Sequence, residues 1–343
     1  MEVQANLVKL GDARRINCND MGTQSSRQQV PEKNASILPA TRQGRKVCNL
    51  YGAHNKPGAY EAKKRLGQHF LKDTGILDRI LRWISPSAGQ DFIEIGAGTG
   101  TLSVRLAEKA GTLVAIEFDG DCIPVLEETL SPFDSAAVVH ADILGLDLAE
   151  LTGEYLRPGQ NLRIAGNLPY NIGTAIIGKL LRSDIPIEAM FFMLQLEVAE
   201  RILALPDTRE YGSLSVLCQH YAKASMGFKV PPECFVPRPK VMSAVISLYP
   251  KPRDKNAERY TDFEELVKAS FAYRRKTLAN SLFRSAHFGG ITAELLEKAD
   301  IDGARRAESL SVQEYERLAN ILEATSENPK IKACDRTESG VYT

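Results

Sequence analysis

Short apolar runs alternate with segments of helical spacing between residues 91 and 196, and this alternation constrains the fold more than any other feature. Strands are predicted at 91–95, 112–118, 136–140, 162–166 and 189–196, with helices at 101–110, 122–130 and 174–181. Such strand–helix–strand units form a mostly parallel sheet. Two more strands, 223–230 and 241–249, flank a proline-rich loop without room for a crossover helix, so we expect them to be antiparallel. The sequence therefore predicts an α/β domain with a mostly parallel, seven-stranded sheet.

The composition changes after Pro250-Lys-Pro252, a proline-rich junction. Beyond it, residues 263–283 and 312–322 have helical spacing and no strand is evident. Both ends of the chain are polar and lack helical or strand periodicity. We therefore predict a disordered extension (1–61), an α/β domain (62–250), a small all-helical domain (251–325) and a polar tail (326–343).

Composition argues against several classes of protein. Six cysteines are scattered without a Cys-x-x-Cys pair, which argues against a structural zinc site or disulfide framework and indicates a reducing cytosol. No apolar run approaches the roughly 20 residues that a membrane span needs. Residues 85–155 contain thirteen acidic and two basic residues, whereas 229–284 contain twelve basic and six acidic ones. This asymmetry favours a polyanion held beside a small-molecule site; the alternative is that the charges form solvated helix faces.

The tetrapeptide Asn167-Leu168-Pro169-Tyr170 directly follows the fourth predicted strand. Ligands of open α/β sheets bind at the carboxyl edge, where this segment must lie. An asparagine side chain and a neighbouring backbone carbonyl can accept hydrogen bonds from an exocyclic amine, and a tyrosine ring can stack on the base that carries it. The tetrapeptide thus indicates chemistry on a nucleobase amine; the alternative is a β-turn with only a local structural role.

A glycine-rich loop, Glu94-Ile-Gly96-Ala-Gly98-Thr-Gly100, joins the first predicted strand to the first helix. Its spacing differs from the Gly-x-Gly-x-x-Gly of dinucleotide enzymes, and its acidic residue suits a nucleoside with a charged amino-acid tail, such as S-adenosylmethionine (SAM). Glu117 ends the second strand, where an acid can accept from both ribose hydroxyls. Asp142 follows the third strand, where a carboxylate can accept from the adenine amine of the cofactor. The alternative for both acids is helix N-capping.

With these features together, the chain resembles the KsgA-type rRNA adenine N6-dimethyltransferases over about residues 62–325. The stretches that carry the resemblance are Lys64-Arg-Leu-Gly-Gln-His-Phe-Leu71, Glu94 to Gly100, Asn167-Leu-Pro-Tyr-Asn-Ile172, Phe235-Val-Pro-Arg-Pro-Lys-Val241 and Arg274-Arg-Lys-Thr-Leu278. The resemblance implies a Rossmann-like class I SAM methyltransferase domain and a small helical domain. It also implies transfer of two methyl groups from SAM to N6 of each of two adjacent adenosines in a hairpin loop near the 3′ end of small-subunit rRNA, within a pre-ribosomal small subunit.

The resemblance also implies which residues contact the cofactor. By motif position these are His69, Leu71, Gly96, Glu117, Asp142 and Asn167. The family often has Asn where His69 stands, and either side chain can donate a hydrogen bond. No metal site is indicated.

On the target side, we expect the Asn167 side chain and the Leu168 carbonyl to hold the amine, in a turn that contains Pro169. Tyr170 would stack on an extruded base. Phe235 is a candidate for the opposite face of that base; the alternative is a phenylalanine that packs in the core or anchors a loop. Catalysis would depend on positioning and electrostatics, because the sulfonium is the leaving group and no general base is evident.

Basic residues are concentrated near the proline-rich loop and in the predicted helical domain. Those that we expect to contact RNA phosphates are Lys63, Lys64, Arg65, Arg238, Lys240, Arg274, Arg275 and Lys276. We expect a cytoplasmic monomer without a membrane segment.

Two other functions remain open at this stage. One is the related erythromycin-resistance type of enzyme, which methylates adenine in large-subunit rRNA. The other is a non-catalytic assembly or transcription factor on the same fold. A dehydrogenase is a more distant third, because the glycine spacing does not suit a dinucleotide.

Overall fold

The computed structural model describes residues 68–252, 257–285, 287–288 and 293–326. The predicted extension, the tail beyond residue 326 and Lys63, Lys64 and Arg65 lie outside the described residues. The strands are β1 (Phe70–Leu71), β2 (Gln90–Ile95), β3 (Thr112–Glu117), β4 (Ala136–His140), β5 (Asn161–Asn167), β6 (Ile187–Gln195), β7 (Ala222–Val230), β8 (Phe235–Val236) and β9 (Ser243–Pro250). The α-helices are α1 (Thr74–Ile84), α2 (Thr101–Ala107), α3 (Ile123–Leu130), α4 (Leu148–Tyr155), α5 (Gly173–Arg182), α6 (Leu196–Leu203), α7 (Ser213–Tyr221), α8 (Ala257–Phe271), α9 (Leu278–Phe283), α10 (Ala293–Lys298) and α11 (Val312–Ser326).

A seven-stranded sheet organises the α/β part of the described chain, in the order β4-β3-β2-β5-β6-β9-β7. The first five strands of this order are parallel, whereas β9 runs antiparallel to both β6 and β7. The predicted Rossmann-like sheet and its final antiparallel pair are therefore confirmed. The strand order reverses between β2 and β5, and such a switch point opens a crevice at the carboxyl ends of the strands.

Several elements were not predicted from the sequence. Helices α1, α4, α6, α7 and α10 and the two-stranded sheet of β1 and β8 are additions. The prediction of one continuous helix at 263–283 was wrong, because a turn at 272–277 separates α8 from α9. Thr277 begins the second helix there, since its hydroxyl accepts a hydrogen bond from the Asn280 backbone at 3.4 Å.

Hydrophobic residues form clusters around the sheet and in the helical part. One cluster contains Ile93, Ile164 and Phe192, and another contains Phe92, Phe191 and Phe235. Side chains alternate between the two faces of a strand, so neighbouring residues enter different clusters. A third cluster contains residues of α8 to α11, but also Tyr211 and Val216 from the segment before residue 250. The helical part thus shares its core with α7, and the predicted boundary at 250 stays a prediction.

None of the helices in the described residues is both long and apolar enough to cross a bilayer.

Gly166 permits close packing of β2 against β5, beside the crevice. A Cβ atom at this position would lie 2.4 Å from the Ile95 carbonyl oxygen, a backbone atom that cannot turn aside. We expect Gly166→Ala to lower the free energy of unfolding by about 1–3 kcal/mol, because the strands must separate. Chemical denaturation followed by circular dichroism measures this change.

A matched control for this substitution is Gly153→Ala in α4, where a Cβ would meet no atom within 4 Å. That variant should gain about 0.5–1 kcal/mol, since alanine favours helix over glycine. Equal stability of the two variants would contradict the close-packing argument.

Candidate active site

A cavity of about 270 Å³ lies at the carboxyl ends of the parallel strands. It is bounded by the glycine loop after β2, the end of β3, the segment after β4 and the turn after β5. The residues proposed from the sequence that line it are His69, Gly96, Glu117, Asp142, Asn167, Leu168, Pro169 and Tyr170. Residues more than 100 positions apart in the chain thus share one cavity, whereas Leu71 and Phe235 do not line it.

The glycine loop is shaped by backbone conformations that favour glycine. Gly96, Gly98 and Gly100 have φ angles of 72°, 57° and 92°, in the left-handed region. A Cβ on Gly98 would also lie 2.7 Å from the ring of Phe70, so the aromatic ring lies directly against the loop. The loop therefore exposes backbone to the cavity, which suits close approach by a ligand.

Glu117 holds the glycine loop in place. Its Oε2 accepts a hydrogen bond from the Gly98 amide at 2.7 Å, and its Oε1 accepts from the Asp119 amide at 2.8 Å. Burial raises the pKa of this carboxyl, and the two amide donors oppose the shift. Helix α3 begins only at Ile123, so the capping alternative for Glu117 is wrong. A carboxyl oxygen has two lone pairs, and the amide hydrogen bond occupies one of them. Each of the two Glu117 oxygens can therefore still accept from a ribose hydroxyl.

Asp142 lies in the turn after β4, where its Oδ1 accepts from the Leu144 amide at 2.9 Å. The N-cap of the next helix is Asp147, so the capping alternative is wrong for Asp142 as well. Two apolar neighbours also line the cavity, namely Phe118, whose exposed fraction is 58%, and Ile143. Neither was singled out from the sequence; the available signal for Phe118 was an aromatic residue directly after a strand-ending acid.

A second, smaller cavity of about 60 Å³ adjoins the first, and both are lined by Phe70, Gly98 and Asn167. Glu94 lines the small cavity, is 2% exposed, and has no hydrogen-bond partner for Oε2 among the described residues. Burial raises the pKa of Glu94 to about 8; the neighbouring Ser103 hydroxyl opposes this shift, and the charge of Glu117 adds a smaller contribution in the same direction as burial. A buried carboxyl oxygen without a hydrogen-bond partner is costly, so this position is suited to a cationic group that enters from the cavity.

Within the described part of the chain, the turn after β5 leaves two acceptors for a ligand. The Leu168 amide donates to the Met193 carbonyl at 3.1 Å, and the Pro169 carbonyl accepts from Ile172 and Gly173. The backbone bonds of this turn therefore do not use the Leu168 carbonyl. Asn167 donates from Nδ2 to the His69 carbonyl at 2.7 Å, so its Oδ1 faces away from that contact.

Tyr170 is held at both of its ends. Its hydroxyl lies 2.8 Å from the hydroxyl of Ser243, which is fully buried. Burial raises the pKa of the phenol, so the hydroxyl stays protonated. The ring centroid lies 5.2 Å from that of His69, at an angle of 32°. The side chain assigned to the cofactor thus contacts the ring assigned to the target base.

Leu71 and Phe235 occupy positions that differ from the expected ones. They are paired across the β1–β8 sheet and are 9% and 1% exposed. Leu71 lines the small cavity beside Glu94, so it faces that end of the site. Phe235 packs in the hydrophobic core and offers no open face to a base in this arrangement. Its position thus agrees with the alternative that it is a core phenylalanine. Its stacking role would need a movement of β8 and stays a prediction.

The described basic candidates are exposed. Arg238 pairs with Glu233, and Lys240 follows in the same proline-rich loop. Arg274, Arg275 and Lys276 lie in the turn between α8 and α9. Exposed cations of this kind are available to a polyanion.

Comparison with known proteins supplies independent information about the chain. The family described as ribosomal RNA adenine dimethylase matches residues 59–324. The protein named ribosomal RNA small subunit methyltransferase A of Bacillus pumilus is 41% identical over 273 residues, which is 78% of this chain and 94% of the relative. The protein of the same name from Chromohalobacter salexigens is 42% identical, over 79% of this chain and 95% of the relative.

Two solved structures are similar over most of their length. A dimethyladenosine transferase from Plasmodium falciparum has a TM-score of 0.63 and 23% identity, covering 75% of this chain and 98% of the other, and it supports the fold alone. The 23S rRNA methyltransferase ErmE has a TM-score of 0.55 and 25% identity, covering 74% of this chain and 99% of the other. The relatives named small subunit methyltransferase A are more similar in sequence to this chain than ErmE is, so the large-subunit alternative is not favoured.

Proposed function

Because the chain belongs to the ribosomal RNA adenine dimethylase family, we propose that it transfers methyl groups from SAM to N6 of two adjacent adenosines near the 3′ end of small-subunit rRNA. Each adenosine would receive two methyl groups. The observation that carries this proposal is the single cavity lined by Glu117, Asp142 and the Asn167–Tyr170 turn. A nucleoside cofactor and a nucleobase amine would meet there.

SAM fits the two adjoining cavities by its chemical groups. Glu117 and Asp142 would hold the ribose hydroxyls and the adenine amine, while Phe118 and Ile143 offer apolar surface to the ring. The unpartnered Oε2 of Glu94 would accept from the ammonium group of the amino-acid tail. When bound, the cofactor supplies an electrophilic methyl group on a sulfonium, which is a good leaving group.

The turn after β5 would act as an amine clamp. The N6 lone pair of adenine is delocalised into the ring, so the amine is a weak nucleophile. Asn167 Oδ1 and the Leu168 carbonyl would accept from the amine hydrogens, two before the first transfer and one before the second, and favour a tetrahedral nitrogen, whose lone pair can then attack. Tyr170 would stack on the extruded base. The proton would pass to water after transfer, so the clamp itself needs no base.

The partner would be small-subunit rRNA in a pre-ribosomal particle, and the protein would act as a cytoplasmic monomer. The exposed cations Arg238, Lys240, Arg274, Arg275 and Lys276 would contact phosphates. Such contacts position the RNA without reading its sequence. We retain the predicted domain division as part of this proposal.

Methylation of undermodified ribosomal subunits tests the function. Purified protein and labelled SAM are incubated separately with small and large subunits, and dimethyladenosine is located by nuclease digestion and mass spectrometry. We expect two adjacent dimethylated adenosines in small-subunit rRNA. Label confined to large-subunit rRNA would favour the ErmE-like alternative, and tight RNA binding without transfer would favour a non-catalytic factor.

Glu117 provides a test of the cofactor assignment. Glu117→Ala removes the acceptor for the ribose and releases the Gly98 amide, so we expect SAM to bind about tenfold more weakly. Isothermal titration calorimetry measures this affinity. Glu127→Ala, an exposed glutamate on α3, is the matched control and should bind SAM normally. Unchanged affinity in Glu117→Ala would contradict the ribose contact.

A further inference from the structure

His69 contacts three separate parts of the active site. Its backbone carbonyl accepts from Asn167 Nδ2 at 2.7 Å. Its ring lies 5.2 Å from the ring of Tyr170, centroid to centroid. Its Nδ1 lies 2.7 Å from the Pro237 carbonyl oxygen, in the proline-rich loop. One residue therefore joins the amine clamp to the loop that carries Arg238 and Lys240.

The carbonyl contact determines which way the Asn167 amide points. A carbonyl oxygen only accepts hydrogen bonds, so the amide must present Nδ2 to His69 and Oδ1 to the other side. The reversed amide would place two oxygens 2.7 Å apart, which is repulsive. The acceptor for the target amine is thus set before the base arrives, and such preorganisation is favourable for catalysis.

The ring contact restrains Tyr170. Since the Pro237 carbonyl can only accept, His69 must donate from Nδ1–H, and the plane of its ring is fixed by this bond. The ring then supports Tyr170 on one side, while Ser243 holds its hydroxyl at the far end. A base that stacks on Tyr170 would meet a ring with little freedom to tilt.

We propose that His69 is a positioning residue that couples the proline-rich loop to the amine clamp. RNA bound at the proline-rich loop would hold Pro237 in place, and the hydrogen bond from His69 Nδ1–H would then hold His69. The contacts of His69 would in turn hold the Asn167 amide and the Tyr170 ring. This inference rests on the proposed function. An asparagine at position 69 could keep the donor but not the ring, so the histidine adds support to Tyr170 in this chain.

Three substitutions separate the donor from the ring. His69→Asn keeps a donor without a ring, His69→Phe keeps a ring without a donor, and His69→Ala keeps neither. We expect kcat at saturating SAM to fall about tenfold in the Phe and Ala variants, in addition to any change in the Kd for SAM, because His69 also lines the cofactor cavity. We expect His69→Asn to retain kcat within about threefold. Its KM for RNA should rise about threefold, because Tyr170 loses the support of the ring.

Other outcomes would overturn the inference. A Kd for SAM that rises about tenfold at unchanged kcat would leave His69 as a cofactor contact only, without a positioning role. Normal kcat and KM in all three variants would remove any role for the side chain. Equal losses in the Asn and Ala variants would show that the donor to Pro237 is not the coupling element.

A spectroscopic measurement distinguishes failure of this inference from failure of the proposed function. In protein with 15N-labelled histidine and asparagine, long-range proton–nitrogen correlations report which imidazole nitrogen carries the proton. We expect the Nδ1–H form at His69, and a shift of the Asn167 side-chain amide signals in His69→Ala. An Nε2–H form would refute the positioning role even in an active enzyme. Wild-type protein that shows the Nδ1–H form but methylates no RNA would refute the proposed function alone.

Discussion

Replacing Asn167 with alanine is expected to lower kcat for methyl transfer about 10²- to 10³-fold, the loss that follows removal of one preorganised hydrogen-bonding group from an active site. The side chain is oriented by its bond to the His69 carbonyl, so its oxygen is available to the target amine. Alanine removes this acceptor and leaves the Leu168 carbonyl alone. Single-turnover transfer of labelled methyl groups to undermodified small subunits measures the loss.

Two further measurements make the Asn167 result specific. Asn161→Ala, at the exposed start of the same strand, is the matched control and should transfer methyl groups at the normal rate. SAM affinity of Asn167→Ala should fall only in part, because Asn167 lines the cofactor cavity together with other groups. Near wild-type turnover of Asn167→Ala would refute the clamp.

Replacing Glu94 with glutamine is expected to change how stability depends on pH. Burial raises the pKa of Glu94 from its ordinary value of 4.5 to about 8, so the folded protein retains a proton that the unfolded chain releases between these values. The free energy of unfolding must then fall as pH rises through this window. The cofactor-free wild type should lose on the order of 3 kcal/mol from this carboxyl between pH 5 and pH 8.

The difference between Glu94→Gln and wild type isolates this effect. Glutamine cannot ionise, so the free energy of unfolding of the variant should fall less steeply than that of the wild type between pH 5 and pH 8. Urea denaturation at several pH values measures this dependence. Glu314, whose pKa is lowered to about 2, titrates below the range and does not interfere. If the unfolding free energies of the two proteins had the same pH dependence, the raised pKa of Glu94 would be contradicted. Glu127→Gln is the control and should have the same pH dependence as the wild type.

The same substitution should weaken SAM binding at least tenfold, because the ammonium group loses a charged partner. Glu94→Gln would thus be more stable at alkaline pH and poorer at binding its cofactor. A gain in stability that accompanies a loss of affinity is expected where a buried charge is kept for a ligand. Calorimetry on the folded variant at pH 8 separates the two effects, and unchanged SAM affinity would remove Glu94 from the cofactor site.

Much of the fold could be predicted from local sequence. The parallel strands β2 to β6 are short apolar runs bounded by glycine or polar residues, and their predicted positions were confirmed within a few residues. Helices such as α7 were missed because their buried positions include polar residues, for example Ser215. Their contacts come from the tertiary fold, which overrides local propensity.

Within the site, position along the chain could identify Glu117, Asp142 and Asn167, since the carboxyl ends of parallel strands share one edge. It could not identify Phe70, whose ring packs on Gly98, because nothing in the residue type distinguishes it from a core phenylalanine. The reverse holds for Phe235, which looked available to a base from its motif but is 1% exposed.

The sequence by itself determined the strand–helix–strand units, the glycine loop and the residue types of the turn after β5. Each of these depends on residues that are close together in the chain. Only the tertiary structure decided the orientation of the Asn167 amide, the contact of His69 with Tyr170 and the burial of Glu94. Like the contact between His69 and Pro237, which are 168 residues apart, these features depend on segments that are distant in the chain. Local sequence carries no information on such pairings, since they form only when the sheet brings the strand ends together.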